Sequence, residues 1–395
     1  MKKTSSITLP FGLGQGAFWM SLCVTRSFAA IYLKALGFSN TELGLVMALG
    51  NSLGALAGPL LASLSENRPR LTTAGLNRPL FLLRLLLLLG LFFCEARSSV
   101  SAALYALYIA ATMAVNSLNL KFCVDAEQRA LPLDYGVARA AGSLAYVLAS
   151  ALLGLLVEKL SYRVLLWAGL AMLLLQAAAN EFTGARLERT KLPERAETRK
   201  SKRASLLTFL RAEPRFALFL LGSVLLYFAH NTITNFLINI VQNDGGDTDT
   251  MGYLNAFMAM VEVPVMLLFS RFTRGRRVSA MLRLSVVMFL FKTLAFALAP
   301  SIQLLYAAIL LQAPSFALYT CAIVPYVSAV IAPENEAKAQ SLAFSITTLG
   351  AVEASLVSGW LFDCCSVRFT LLISSLVCSA GVAVCVPAVK KTGRS

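Results

Sequence analysis

From end to end, the chain repeats apolar blocks close to the roughly 20 residues that a helix needs to cross a hydrocarbon core. Stretches such as Leu85 to Phe93 and Val164 to Leu175 run without the alternation of a barrel strand. In lipid every backbone N–H and C=O must be paired internally, which leaves helices or closed barrels. Unbroken apolar runs select helices. A soluble fold is excluded by quantity: 57% of the residues are hydrophobic and 14% charged, more apolar surface than a globule can hide from water.

Breaks at Gly, Pro and charge clusters predict twelve spans, near 11–33, 42–64, 79–96, 101–123, 137–158 and 163–183, then 214–241, 250–271, 278–299, 302–330, 338–361 and 367–388. The expected fold is therefore all-α and polytopic. It divides into a six-helix half over 1–183, a basic linker over 184–213 and a second six-helix half over 214–395. The linker reads as a solvated tether whose basic residues touch anionic headgroups.

Basic residues fall in alternate loops. One side collects Lys2, Lys3, Arg68, Arg70, Arg78, Arg129, the run from Arg186 to Arg211, Arg271, Arg274, Arg276, Arg277, Lys338, Lys390, Lys391 and Arg394. The other has little beyond Lys34, Arg97, Lys159, Arg163 and Arg368. This asymmetry predicts that both termini and the linker are cytoplasmic, which an even number of spans also requires. The net charge of +15 lies in these short breaks and not in a separate basic domain, so no nucleic-acid partner is expected. The N-terminal apolar run shows no small-residue cleavage site before Tyr32 and is read as a retained first helix. The eight cysteines have no CxxC or Cys/His ligand spacing. They read as packing residues, with no metal and no cofactor.

Polar side chains inside the spans are costly, on the order of 2.5–3.5 kcal/mol for a charge at the bilayer centre, and so mark cavities or partners. Gln15, Trp19 and Arg26 fall on one face of an ideal first helix. That stripe suits an anionic or hydroxyl-rich solute, or else Arg26 pairs with a neighbouring carboxylate. Asn231, Asn235 and Asn239 repeat every four residues beside His230. They are expected to line a cavity, the alternative being hydrogen bonds that hold a neighbouring helix. His230 is the only histidine and a candidate proton carrier. Glu262 precedes Pro264 in mid-span, Glu353 is the other mid-span acid, and Lys292 is the natural counter-charge for either. Asn116, Asn119, Gln312 and Tyr319 add polar faces, and Arg84 is expected to snorkel to the interface as a structural residue.

Three segments carry a resemblance to a known family. Asp134-Tyr135-Gly136-x-x-Arg139-x-x-Gly142-Ser143, Glu262-Val263-Pro264 and Tyr32-Leu33-Lys34-x-Leu36-Gly37-Phe38 resemble the lactose-permease-like and phenylpropionate-permease-like proton symporters of the major facilitator superfamily. The resemblance implies two rocking six-helix halves and alternating access. It also implies that Arg139 orients a carboxylate at the end of helix four, Asp125 or Glu127. The superfamily signature after helix two survives only around Gly58 and Ser65-Glu66-Asn67-Arg68, and Arg274-Gly275-Arg276-Arg277 lacks its acid. The helix-five signature of drug antiporters is missing, since Ala140 to Leu156 contains no proline.

The expected function is proton-coupled import of a small organic solute: a sugar, a nucleoside or an aromatic or organic acid. His230, Glu262, Lys292, Glu353 and Arg139 are the coupling or ion-pair candidates. Efflux by proton antiport and uniport are the alternatives within transport, and a non-transporting sensor or scaffold lies outside it. No catalytic constellation is present in the sequence, so an enzyme is not expected. The expected setting is a bacterial inner membrane, with the solute, the proton and lipid as partners of a monomer.

Overall fold

Helix starts follow the sequence closely. Ser98 and Ser101 form a reciprocal cap, Asp134 accepts from the Val137 N–H at 3.0 Å, and Ser366 accepts from the Phe369 N–H at 3.3 Å. Each satisfies donors that a helix N-terminus leaves unpaired. The structure, a computed structural model, describes residues 7–67, 72–129, 131–190, 206–273 and 277–392. Lys2, Lys3, Arg68, Arg70, the linker core 191–205, Arg274 to Arg276 and Arg394 lie outside the described residues.

Among the described residues there are sixteen α-helices and no strand. In chain order they are α1 (Thr8–Leu22), α2 (Ala29–Ala35), α3 (Asn40–Asn67), α4 (Thr73–Phe92), α5 (Ser99–Gln128), α6 (Tyr135–Lys159), α7 (Val164–Glu188) and α8 (Leu206–Ala212). There follow α9 (Pro214–Asn235), α10 (Leu237–Asn243), α11 (Thr248–Thr273), α12 (Val278–Leu298), α13 (Ile302–Ile309), α14 (Leu318–Val330), α15 (Pro333–Cys364) and α16 (Val367–Ala388). Eleven spans are long and apolar enough to cross a membrane, and twelve if the pair bent by 47° between Thr8 and Ala35 is counted as one. The first expected span is thus broken. A π turn over Cys23–Ser27 joins α1 to α2. The seventh is broken as well, because α9 ends at Asn235 and α10 begins at Leu237. Leu144, Leu148 and Leu152 form an exposed stripe on α6, as expected of a face that meets lipid.

The chain divides into two compact units, 1–38 with 49–200 and 39–48 with 201–395. In the first, α1 packs on α6 and α7, and α4 packs on α5 and α7. In the second, α9 packs on α15 and α16, and α12 packs on α16 and α14. Phe219, Tyr227, Phe289, Tyr319 and Tyr326 form an aromatic core there.

The start of α3, through Ala48, belongs to the second unit, and α15 completes its cap. Ser39 and Glu42 exchange hydrogen bonds as a capping box. Asp363 then accepts from the Asn40 N–H at 3.0 Å, the Asn40 amide at 2.9 Å, the Thr41 N–H at 2.7 Å and the Thr41 hydroxyl at 2.6 Å. A carboxylate at a helix N-terminus is also favoured by the helix dipole. Asp363→Ala removes this cap, and a loss of about 1–2 kcal/mol is expected. It should appear as a lowered melting temperature in detergent, with Asp363→Asn intermediate.

Candidate functional site

The second unit gathers four polar side chains from four segments into one chain, buried at His230, Lys292 and Gln312 and half-buried at Glu262. Lys292 lies in the middle of α12 with 1% of its surface exposed, a position that demands compensation. Its Nζ lies 2.9 Å from Nδ1 of His230 on α9. It also donates to Oε1 of Gln312 at 3.0 Å, and Gln312 Nε2 donates to Oε1 of Glu262 on α11 at 2.9 Å. Irregular backbone delivers the amide. A 3-10 turn over Leu310–Gln312 runs into a π turn over Ala313–Ala317, around Pro314, which cannot donate to a regular helix. His230 stacks on Phe316 with ring centroids 4.4 Å apart, and Lys292 Nζ sits 5.0 Å from the Phe289 ring centre. Gln312 thereby separates an ammonium donor from a carboxylate acceptor, each facing the amide atom of complementary polarity. An amide conducts charge compensation but is no proton carrier, so the chain joins Lys292 to Glu262 electrostatically and not as a wire.

Sequence reasoning had assigned Gln312 only to a polar face; its bridging place depends on the irregular turn. Glu353 is exposed on α15 and has no hydrogen bond or ion pair to Lys292 among the described residues, so the pairing of Lys292 with either acid is corrected to Glu262 alone, through Gln312. Tyr319 is another correction. It is 1% exposed in the aromatic core and donates to Ser223 at 2.8 Å, a packing role.

The asparagine row is also corrected. Asn231, Asn235 and Asn239 are buried, with 7%, 5% and 7% exposure. Asn231 donates to the Tyr227 carbonyl, Asn235 to Ser355 Oγ at 3.1 Å and Asn239 to Asn40 Oδ1 at 2.7 Å. Asn235 and Asn239, with Asp363, build a polar seam along α3 and α15, whereas the Asn231 bond stays within α9. Amides in an apolar interior hold helices this way, and Asn235 and Asn239 take that alternative to cavity lining.

In the first unit, Arg139 lies 3.9 Å from the centre of the Trp19 ring and donates to Ser143 Oγ at 2.8 Å. A Cβ on Gly142 would sit 2.5 Å from Trp19 Cδ1. The Arg-x-x-Gly-Ser spacing is therefore the imprint of a cation–π shelf: glycine admits the indole and serine steadies the guanidinium. Asp125, offered as a partner for Arg139, takes Thr73 Oγ1 at 2.5 Å and Lys121 Nζ at 3.2 Å instead. Gln15 is buried. Arg26 lies within the π turn, whose extra residue shifts the register on which the Gln15–Trp19–Arg26 face rested. Asn119 is buried and Asn116 exposed. Arg84 does not snorkel: it is 2% exposed.

Comparison with known proteins places this geometry. Residues 18–373 match the MFS_1 like family. A probable 3-phenylpropionic acid transporter of Escherichia coli (strain K12) is 27% identical over 281 residues, 70% of each chain. The nucleoside transporter NupG superposes with a TM-score of 0.73 at 16% identity, covering 96% of this chain and 99% of that one. A bacterial homolog of the human lysosomal transporter Spinster gives 0.60 at 14% identity, covering 97% and 95%. At these identities the solved structures establish the fold.

Proposed function

The chain belongs to the MFS_1 like family and is a polytopic membrane transporter of small solutes, not an enzyme; from that premise we propose proton-coupled import of an organic acid by alternating access. The observation that carries the reading is the Lys292–Gln312–Glu262 chain. Protonation of Glu262 removes the charge that balances Lys292, and an incoming solute carboxylate restores it. Proton and anion then move together without leaving a buried charge uncompensated. With Lys292 as the ammonium donor, His230 Nδ1 is an acceptor and anchors Lys292, leaving Glu262 as the proton site. An acid is favoured over other solutes because the relative from Escherichia coli is a probable 3-phenylpropionic acid transporter, and such a solute carries the required charge. The basic residues of alternate loops support cytoplasmic termini in a bacterial inner membrane, with one chain as the transporting unit.

Uptake of 3-phenylpropionate into proteoliposomes tests this. Accumulation driven by an inward proton gradient and abolished by a protonophore is expected. Glu262→Gln should lose accumulation at least about tenfold while keeping solute exchange, because the neutral amide removes the titrating group and little volume. Full accumulation by that variant sinks the assignment of Glu262, and uptake indifferent to pH leaves a uniporter.

A further inference from the structure

The first unit holds a second buried cation, and its surroundings are those of a binding site. Arg84 on α4 donates through Nη1 to Gln176 Oε1 on α7 at 2.6 Å. Its Nε and Nη2 atoms are buried and have no hydrogen-bond partner, and neither has Gln176 Nε2. Tyr108 Oη lies near the guanidinium without meeting hydrogen-bond geometry. A guanidinium at 2% exposure with two unsatisfied donors is costly in a protein interior, and more so in lipid.

Arg84 and Gln176 line a cavity of about 180 Å³ together with Asn77, Phe81, Leu173 and Asn180. Arg84, Gln176, Asn77 and Asn180 give it a guanidinium and amides, and Phe81 and Leu173 stand in its apolar wall. Arg78 and Glu181 also line it, and their own contact shows the chemistry on offer. Arg78 Nε and Nη2 grip the two Glu181 oxygens at 2.8 Å each. On Arg84 the same two atoms, the side-on fork that matches a carboxylate bidentately, are bonded to no acid among the described residues.

We infer that this cavity is a binding site for the carboxylate of a small organic acid, held by the Nε/Nη2 edge of Arg84 with Gln176 Nε2 as a further donor and Phe81 and Leu173 against its apolar part. The site lies wholly within the first unit and is distinct from the Lys292 chain, so it does not depend on the coupling scheme proposed above. A bound carboxylate gives this buried guanidinium the charge partner it lacks among the described residues.

Isothermal titration of the full chain in phosphatidylcholine nanodiscs tests the inference, with benzoate as the probe, and benzamide and inorganic phosphate as comparators. Saturable benzoate binding with no benzamide or phosphate binding is expected. Arg84→Met should weaken benzoate at least about tenfold, the loss of a bidentate charge-assisted pair. It should also raise the melting temperature without ligand, because it deletes an uncompensated buried charge. Gln176→Glu supplies an internal carboxylate, and it too should raise the melting temperature and abolish benzoate binding. Equal benzoate affinity in wild type and Arg84→Met overturns the proposal. So does phosphate or phosphatidylglycerol competing as well as benzoate, or a lowered melting temperature in both Arg84→Met and Gln176→Glu.

Discussion

Lys292→Met is expected to abolish gradient-driven accumulation, and combining it with Glu262→Gln should restore stability without restoring transport. Removing the ammonium leaves His230 Nδ1 and Gln312 Oε1 as buried acceptors without the donor they face. It also leaves Glu262 without the cation that the Gln312 amide relays to it. An uncompensated charge at this depth costs on the order of 2.5–3.5 kcal/mol, roughly a hundredfold in an equilibrium. The single variant should therefore both melt lower and transport at or below about 1% of wild type. In the double variant the carboxylate is gone together with the ammonium, so the stability losses should not add. Strict additivity of the two melting shifts would show that Lys292 and Glu262 do not sense each other. Retained accumulation in Lys292→Met would remove the chain from the transport mechanism.

Much of the architecture is written in hydropathy and caps. The period and length of the apolar blocks mark the spans because lipid allows few alternatives, and Ser98, Asp134 and Ser366 announce helix starts by local hydrogen bonding. Breaks inside a span are harder to read. The π turn over Cys23–Ser27 contains no proline or glycine, and neither does the asparagine-rich stretch around the break after Asn235. Tertiary packing decides both.

Site residues divide the same way. Lys292 and Glu262 were visible because charges in a span are rare, whereas Gln312 joins them through backbone irregularity that helical spacing does not encode. The asparagines illustrate the reverse error. Their four-residue repeat was visible, but whether an amide faces a cavity or a neighbouring helix depends on which helix arrives beside it. For Asn235 and Asn239 the neighbours are Ser355 and Asn40. Arg84 sits close enough to Pro79 that snorkelling was reasonable, but α7 covers it with Gln176.

The seam those asparagines serve should be the least tolerant place in the second unit. Gly44 on α3 faces the backbone of α15 so closely that an added Cβ would lie 2.0 Å from the Ser355 carbonyl oxygen and 3.6 Å from Gly359 Cα. Gly359 faces Asn40 in return, its own Cβ falling 2.5 Å from that carbonyl oxygen. Backbone atoms cannot step aside as a side chain can, so any substitution must part the helices. Parting them stretches the Asp363 cap one turn from Gly44 and the Asn235–Ser355 and Asn239–Asn40 bonds at once. Overpacking alone typically costs about 1–3 kcal/mol, and the polar seam adds to it because its donors are buried. Gly44→Val is therefore expected to lose about 3 kcal/mol or more, seen as poor recovery of folded protein and a large fall in melting temperature. Even Gly44→Ala should cost most of that amount, since the first carbon already collides. Leu45→Ala, at a neighbouring position that is 54% exposed, should stay within about 0.5 kcal/mol. Similar melting temperatures for Gly44→Ala and Leu45→Ala would mean that α3 and α15 do not cross at backbone contact, and the seam's polar bonds would then have to be formed across a wider gap than the glycines define.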